Sequence, residues 1–124
     1  MLLSMSRQRT RPTREDTRQR LFAAAAAVFV REGIAGSSVE DICVEADLTR
    51  GALYSNFADK NELVMAMIDD HVERSMVEME RLMDMASSPV EYVELIESPQ
   101  RRREGPLGTD PVLQMEFTLY ALRN

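Results

Sequence analysis

Thr49, Arg50, Ala52, Tyr54, Ser55 and Asn56 occupy the outward positions of one short helical stretch, in which Leu53 and Phe57, four residues apart, point inward. The outward set is rich in hydrogen-bond donors and almost free of acid. Guanidinium, hydroxyl and amide groups in that arrangement suit a surface laid against an anionic polymer, where they donate to phosphate oxygens and base edges. Gly51 costs roughly 1 kcal/mol against alanine in a helix interior, and near the first turn its use is a close approach of backbone to nucleic acid.

Two helices and a turn must position these groups. Ser38 is a good N-cap, and Glu40 and Asp41 put negative charge at the positive end of the following helix. Val39, Ile42, Cys43 and Ala46 then share one apolar face. Asp47 and Leu48 carry the chain through a turn, and Thr49 offers a second N-cap, so that Arg50 to Phe57 start in a new direction. This is the layout of a helix-turn-helix over residues 38–57.

An earlier helix completes a three-helix head. Leu21, Ala24, Ala25, Val28 and Phe29 form its inward stripe, and Arg31-Glu32-Gly33 supplies a C-terminal charge and a glycine stop. The ten apolar residues from Leu21 to Val30 could pass for a secretory segment, but they are too few to span a bilayer, and Glu15 and Asp16 interrupt the basic flank.

The 124 residues carry a net charge of -6, which looks wrong for a nucleic-acid binder until it is divided along the chain. Through residue 60, nine bases oppose eight acids; from residue 61, six oppose thirteen. Six arginines among the first twenty residues face only Glu15 and Asp16, which suggests a flexible basic arm over residues 1–14 for phosphate or the minor groove. A lone cysteine, Cys43, cannot form an internal disulfide and fits a reducing cytoplasm as a small core residue.

Beyond Ala58-Asp59-Lys60 a long helix is predicted from Asn61 to Met85, with Leu63, Val64, Met67, Ile68, Val72, Met76, Met79 and Met83 as a continuous apolar stripe. Six of the nine methionines lie here. They read as core rather than as an adaptable hydrophobic pocket. His71, among Asp69, Asp70 and Glu73, reads as part of a solvated face rather than a metal site. Ser87-Ser88-Pro89 starts a short helix that ends near Ser98-Pro99. Residues 98–111 read as a polar loop with Arg101, Arg102 and Arg103 exposed, and a last helix from Pro111 carries Leu113, Phe117 and Tyr120, which need more partner surface than the earlier helices provide.

From Thr17 to Leu63 the chain resembles the N-terminal part of a tetracycline-repressor (TetR) family regulator. The resemblance rests on Ala24, Phe29, Gly33, Ser38, Ile42 and Ala46, on the run Leu48-Thr49-Arg50-Gly51-Ala52-Leu53-Tyr54-Ser55-Asn56-Phe57, and on Lys60 and Leu63. Asp47 stands where that family usually has glycine, so the turn is expected to differ slightly, and Asn56 stands where histidine is commonest.

The resemblance implies an all-α protein: a helix-turn-helix head over residues 15–60, then, over 61–124, a linking helix and the first part of a helical regulatory domain. The linking helix would carry an effector signal to the heads, and Lys60 would touch phosphate. It further implies a repressor, a palindromic double-stranded operator, a homodimer in the full-length form with reading helices about 34 Å apart, and a small hydrophobic effector. By the same comparison the dimerising helices are missing, so the chain is expected to be truncated or naturally short.

With one His, one Cys and no phosphate-binding glycine pattern, the sequence supports neither an enzyme nor a cofactor. The expectation is a cytoplasmic DNA-binding regulator without membrane contact. Thr49, Arg50 and Ala52 would read bases, Gly51 would allow close approach, and Ser38, Tyr54, Ser55, Asn56 and Lys60 would hold phosphates. The alternative is a helical interaction module that pairs with a full-length relative through the exposed apolar surface of its last helix.

Overall fold

A computed structural model describes residues 13–104 and 110–124, and every element in them is α-helical: α1 (Arg14–Glu32), α2 (Val39–Ala46), α3 (Arg50–Tyr54), α4 (Lys60–Met85), α5 (Pro89–Ile96), α6 (Pro99–Glu104) and α7 (Pro111–Arg123). The arm through residue 12 lies outside the described residues. No helix among them is long and apolar enough to cross a membrane.

The head is built by local rules. The alanine run in α1 is the best helix former available, and Thr13 with Asp16 closes a reciprocal capping box at its start. Its stripe is buried as the spacing predicts, with Leu21, Ala25, Val28 and Phe29 fully enclosed. Small Ala24 and Ala25 let α2 approach closely, and each large apolar side chain so enclosed contributes roughly 1.5–3 kcal/mol. Gly33 ends α1 at φ 81°, a left-handed value that a side chain would strain. Ile42, Cys43, Ala46, Leu53 and Phe57 complete the core of the head.

That core does not stop at the head. Leu63, Val64 and Met67 of α4 join it, and so does Phe117 of α7, with Leu113 and Tyr120 packed alongside. The last helix therefore finds the partner surface that the sequence failed to reveal: it folds back onto α1. The Glu116 carboxylate accepts from the Ile34 N–H at 2.8 Å, and the Tyr120 hydroxyl donates to Asn61. Val112, Met115, Leu119 and Leu122 remain exposed on its other side.

Three expectations need correction. The stretch after residue 98 is not all loop, since Pro99 opens α6, and proline is well tolerated at a helix start. Arg101 is mostly covered there and pairs with Glu78 of α4 at 3.3 Å. The methionines of α4 are not core: only Met67 is buried, while Met65, Met76, Met79, Met83 and Met85 are exposed, and in the distal half of the helix the buried position is Leu82 instead. His71 does not sit on a solvated face but lies beside the Phe117 ring, 5.7 Å between centroids. Burial, and secondarily Arg74, lowers its pKa despite the opposing pull of Asp70.

Candidate nucleic-acid interface

Two capped helices and the turn between them form the site. The Ser38 hydroxyl accepts from the Asp41 N–H at 3.1 Å and the Asp41 carboxylate accepts from the Ser38 N–H at 3.0 Å, so α2 starts on a closed capping box. Thr49 caps α3, its hydroxyl accepting from the Ala52 N–H at 3.1 Å. In both caps the hydroxyl oxygen is the acceptor, which leaves the O–H proton available to donate outward.

Asp47 carries the turn at φ 56° and ψ 49°, the left-handed conformation that glycine favours. Aspartate is among the few other residues that tolerate it. The turn thus keeps a glycine-like backbone with a different side chain, and Asp47 and Leu48 donate their N–H groups back to the last carbonyls of α2.

Arginines of α1 fasten this unit, a role the sequence reading missed. Arg20 donates from Nε to Ala46 O at 3.0 Å and from Nη2 to Asp47 O at 3.2 Å, gripping the turn. Arg14, the first residue of α1 rather than part of the arm, donates to Ser55 O at 2.6 Å and grips the other end of α3. Arg18 lies over Phe22 and Phe57, at 5.0 and 5.3 Å from the ring centroids. Three of the six early arginines therefore sit on α1 with their guanidinium groups directed at the chain itself. The capping signal at Thr13 was the one clue that the helix begins so early.

The nine candidate residues divide into two groups. Thr49, Arg50, Gly51 and Tyr54 are exposed, and Ala52 is half-buried beside them. A Cβ placed on Gly51 would meet only the Thr49 hydroxyl, at 3.8 Å, so the fold itself does not demand glycine there. The others are turned onto the backbone. Ser55 Oγ and Asn56 Nδ2 both donate to Ala52 O, at 3.0 and 2.9 Å. Lys60 Nζ donates to Ile34 O at 2.8 Å and to Ser37 O at 2.9 Å, clamping the loop before α2. Ser38 is half-buried at its cap.

The helical bonding of α3 runs on past Tyr54 as a turn, through Ser55 N–H to Gly51 O and Phe57 N–H to Leu53 O. The rod is shorter than the predicted Arg50–Phe57, although its inward pair, Leu53 and Phe57, is buried as expected.

The exposed face of α3 is not free of acid. Arg50 Nη2 lies 3.2 Å from Glu40 Oε2, and the guanidinium also sits 5.9 Å from the Tyr54 ring centroid. The Tyr54 side chain and then Glu40 hold Arg50 still more firmly in its charged form. Between α2 and α3 lies an open recess of about 710 Å³, lined by Glu40, Val44, Asp47, Leu48, Thr49 and Arg50. The Cys43 thiol at its floor is pushed up in pKa by burial and by Glu40.

Residues 21–67 match the family model described as bacterial regulatory proteins, tetR family. The chain is 36% identical over 74 residues to the transcriptional regulator TtgR of Pseudomonas putida, covering 55% of this chain and 35% of that protein. It is 30% identical over 74 residues to the transcriptional repressor KstR2 of Mycolicibacterium smegmatis, covering 60% of this chain and 36% of that one. A TetR-family regulator from Pectobacterium atrosepticum, solved by crystallography, superposes with a TM-score of 0.55 at 29% identity, over 93% of this chain and 71% of its own. The chain spans about a third of the length of the curated relatives it matches.

Proposed function

We propose that the chain is a TetR-family regulator, as the match over residues 21–67 and the relatives above support, and that it is a sequence-specific, DNA-binding transcriptional regulator that acts as a repressor. The observation that carries this reading is the exposed run Thr49, Arg50, Gly51 and Tyr54 on a capped helix whose C-terminal end is held by Arg14 and whose preceding turn is gripped by Arg20. A helix so held can enter a major groove without reorganising.

In this reading residues 15–60 form the head, preceded by a basic arm, and residues 61–124 begin a regulatory domain. Thr49, Arg50 and Ala52 face base edges, with Arg50 suited to a guanine, and the bare backbone at Gly51 lets the helix sit deep in the groove. Tyr54 and the outward proton of Ser38 reach phosphates. Ser55, Asn56 and Lys60 contact phosphate only with hydrogen-bonding capacity left over from their backbone partners, and their first effect is on shape. A palindromic operator read by a homodimer, a small hydrophobic effector and a cytoplasmic location complete the proposal by the family's pattern.

The alternative, an interaction module that docks through the last helix, is not favoured, because Phe117, Leu113 and Tyr120 are already used inside the chain. Selection of bound sequences from random duplex DNA tests the main reading. Enrichment of a motif supports it, and a palindrome would support the dimer; no enrichment at low salt would overturn it.

A further inference from the structure

Glu40 is the second residue of α2 and Arg50 the first of α3, so the turn brings together two side chains ten positions apart. The pair is solvent-exposed, with 55% and 62% of the side chains accessible, and it sits at the edge of the reading face. An acid at that place opposes the phosphate attraction from which non-specific affinity comes. We propose that Glu40 is a specificity-determining residue, which occupies the Arg50 guanidinium when the protein meets the wrong DNA and yields it fully only to a base edge offering two acceptors. The inference rests on the DNA-binding reading above.

The exchange follows from relative strengths. An exposed ion pair is worth a few-fold in an equilibrium constant. A bidentate arginine–guanine contact discriminates by roughly five-fold to over a hundred-fold. Glu40 therefore loses Arg50 to a correctly placed guanine. A lone phosphate also offers two acceptor oxygens, but a single exposed pairing with it is worth no more than the pair it would replace, and the nearby carboxylate repels it, so Glu40 competes with it for Arg50 on near-equal terms. The Tyr54 ring centroid lies 5.9 Å from the same guanidinium, a contact that does not compete with Glu40. The net effect is a reading helix that is nearly neutral until it reaches its site.

Glu40→Gln in the full chain tests this. Non-specific affinity should rise about five-fold at low salt, and the slope of log K against log salt on non-specific duplex should steepen by about 0.9, one more phosphate neutralised. The motif selected from random duplexes should lose definition at the base pair read by Arg50. Glu40→Ala, which has no amide to re-pair with Arg50, should do the same. Glu73→Gln removes an equal charge from α4 and should change neither quantity. Glu40→Gln placed on Arg50→Ala should add little to the slope, since Glu40 acts through that arginine.

If the wild-type chain selects a motif and both Glu40 variants select it unchanged with the same salt slope, the inference fails and the DNA-binding reading stands. An equal gain in slope with and without Arg50 would likewise sink it, since Glu40 would then be a bulk charge. If the wild-type chain selects nothing, the reading and the inference fall together.

Discussion

Lys60 and Glu116 hold the same residue from two sides. The Lys60 ammonium donates to Ile34 O at 2.8 Å, and the Glu116 carboxylate accepts from Ile34 N–H at 2.8 Å. One grip comes from the start of α4 and the other from α7, and both act on the loop that delivers Ser38 to the cap of α2. Ile34 itself is buried, so its polar backbone must be satisfied there.

Lys60→Met should lower the unfolding free energy by about 1–3 kcal/mol, the cost of leaving partly buried carbonyls without a charged donor. Glu116→Ala should cost about as much, and Glu116→Gln less, since an amide oxygen can still accept. Urea unfolding gives the energies. Hydrogen exchange at the Ile34 amide gives the local signature: it should accelerate in Glu116→Ala, and unchanged protection there would exclude the contact.

Arg20→Ala removes two donors from the end of α2 and the turn. A loss of about 1–2 kcal/mol is expected, reduced from a fully buried value because these bonds are partly exposed. If the proposed function holds, binding should weaken to a similar extent on all duplexes, since the variant alters how α3 is held and not what it reads. A change in sequence preference would argue instead for direct base contact by Arg20.

Asp47 sits at a left-handed φ that costs most residues about 1–2 kcal/mol. Asp47→Ala should therefore destabilise the chain by about 1 kcal/mol, while Asp47→Gly should stay near the wild-type value, because relief of strain is offset by a freer unfolded chain. Thermal melts of the two variants side by side decide this. Equal melting temperatures for both would show that the turn relaxes elsewhere.

His71 gives the chain a pH dependence. Desolvation beside Phe117 and the nearby Arg74 depress its pKa below the ordinary 6.5, so in the window beneath that value the unfolded chain binds more protons than the folded one. Stability from this group is then complete above about pH 6.5 and declines as pH falls toward the lowered value. Urea midpoints measured at about pH 7.5, 6.5 and 5.5 should fall in the wild type and fall less in His71→Gln. Parallel curves would place the effect in other groups.

The sequence determined what is local. Caps at Ser38 and Thr49, the inward spacing of Ile42, Leu53 and Phe57, the stripe of α1 and the glycine stop at Gly33 are all set by contacts within a few residues, and they appear where composition and period put them. The family pattern was legible for the same reason. What the tertiary structure decided is which side chains the proposed DNA-facing surface can use. Arg14, Arg20 and Lys60 look like phosphate binders in one dimension, yet their charges are directed at backbone carbonyls of other elements. Glu40 looks remote from α3 and is paired with its first residue, Arg50. The inward spacing of Leu113, Phe117 and Tyr120 on α7 is periodic, but nothing in it names α1 as the surface they pack on or Ile34 as the partner of Glu116. A donor's chemistry is written in its residue type, but its partner depends on which distant carbonyl or carboxylate the fold brings within 3 Å, and only packing settles that.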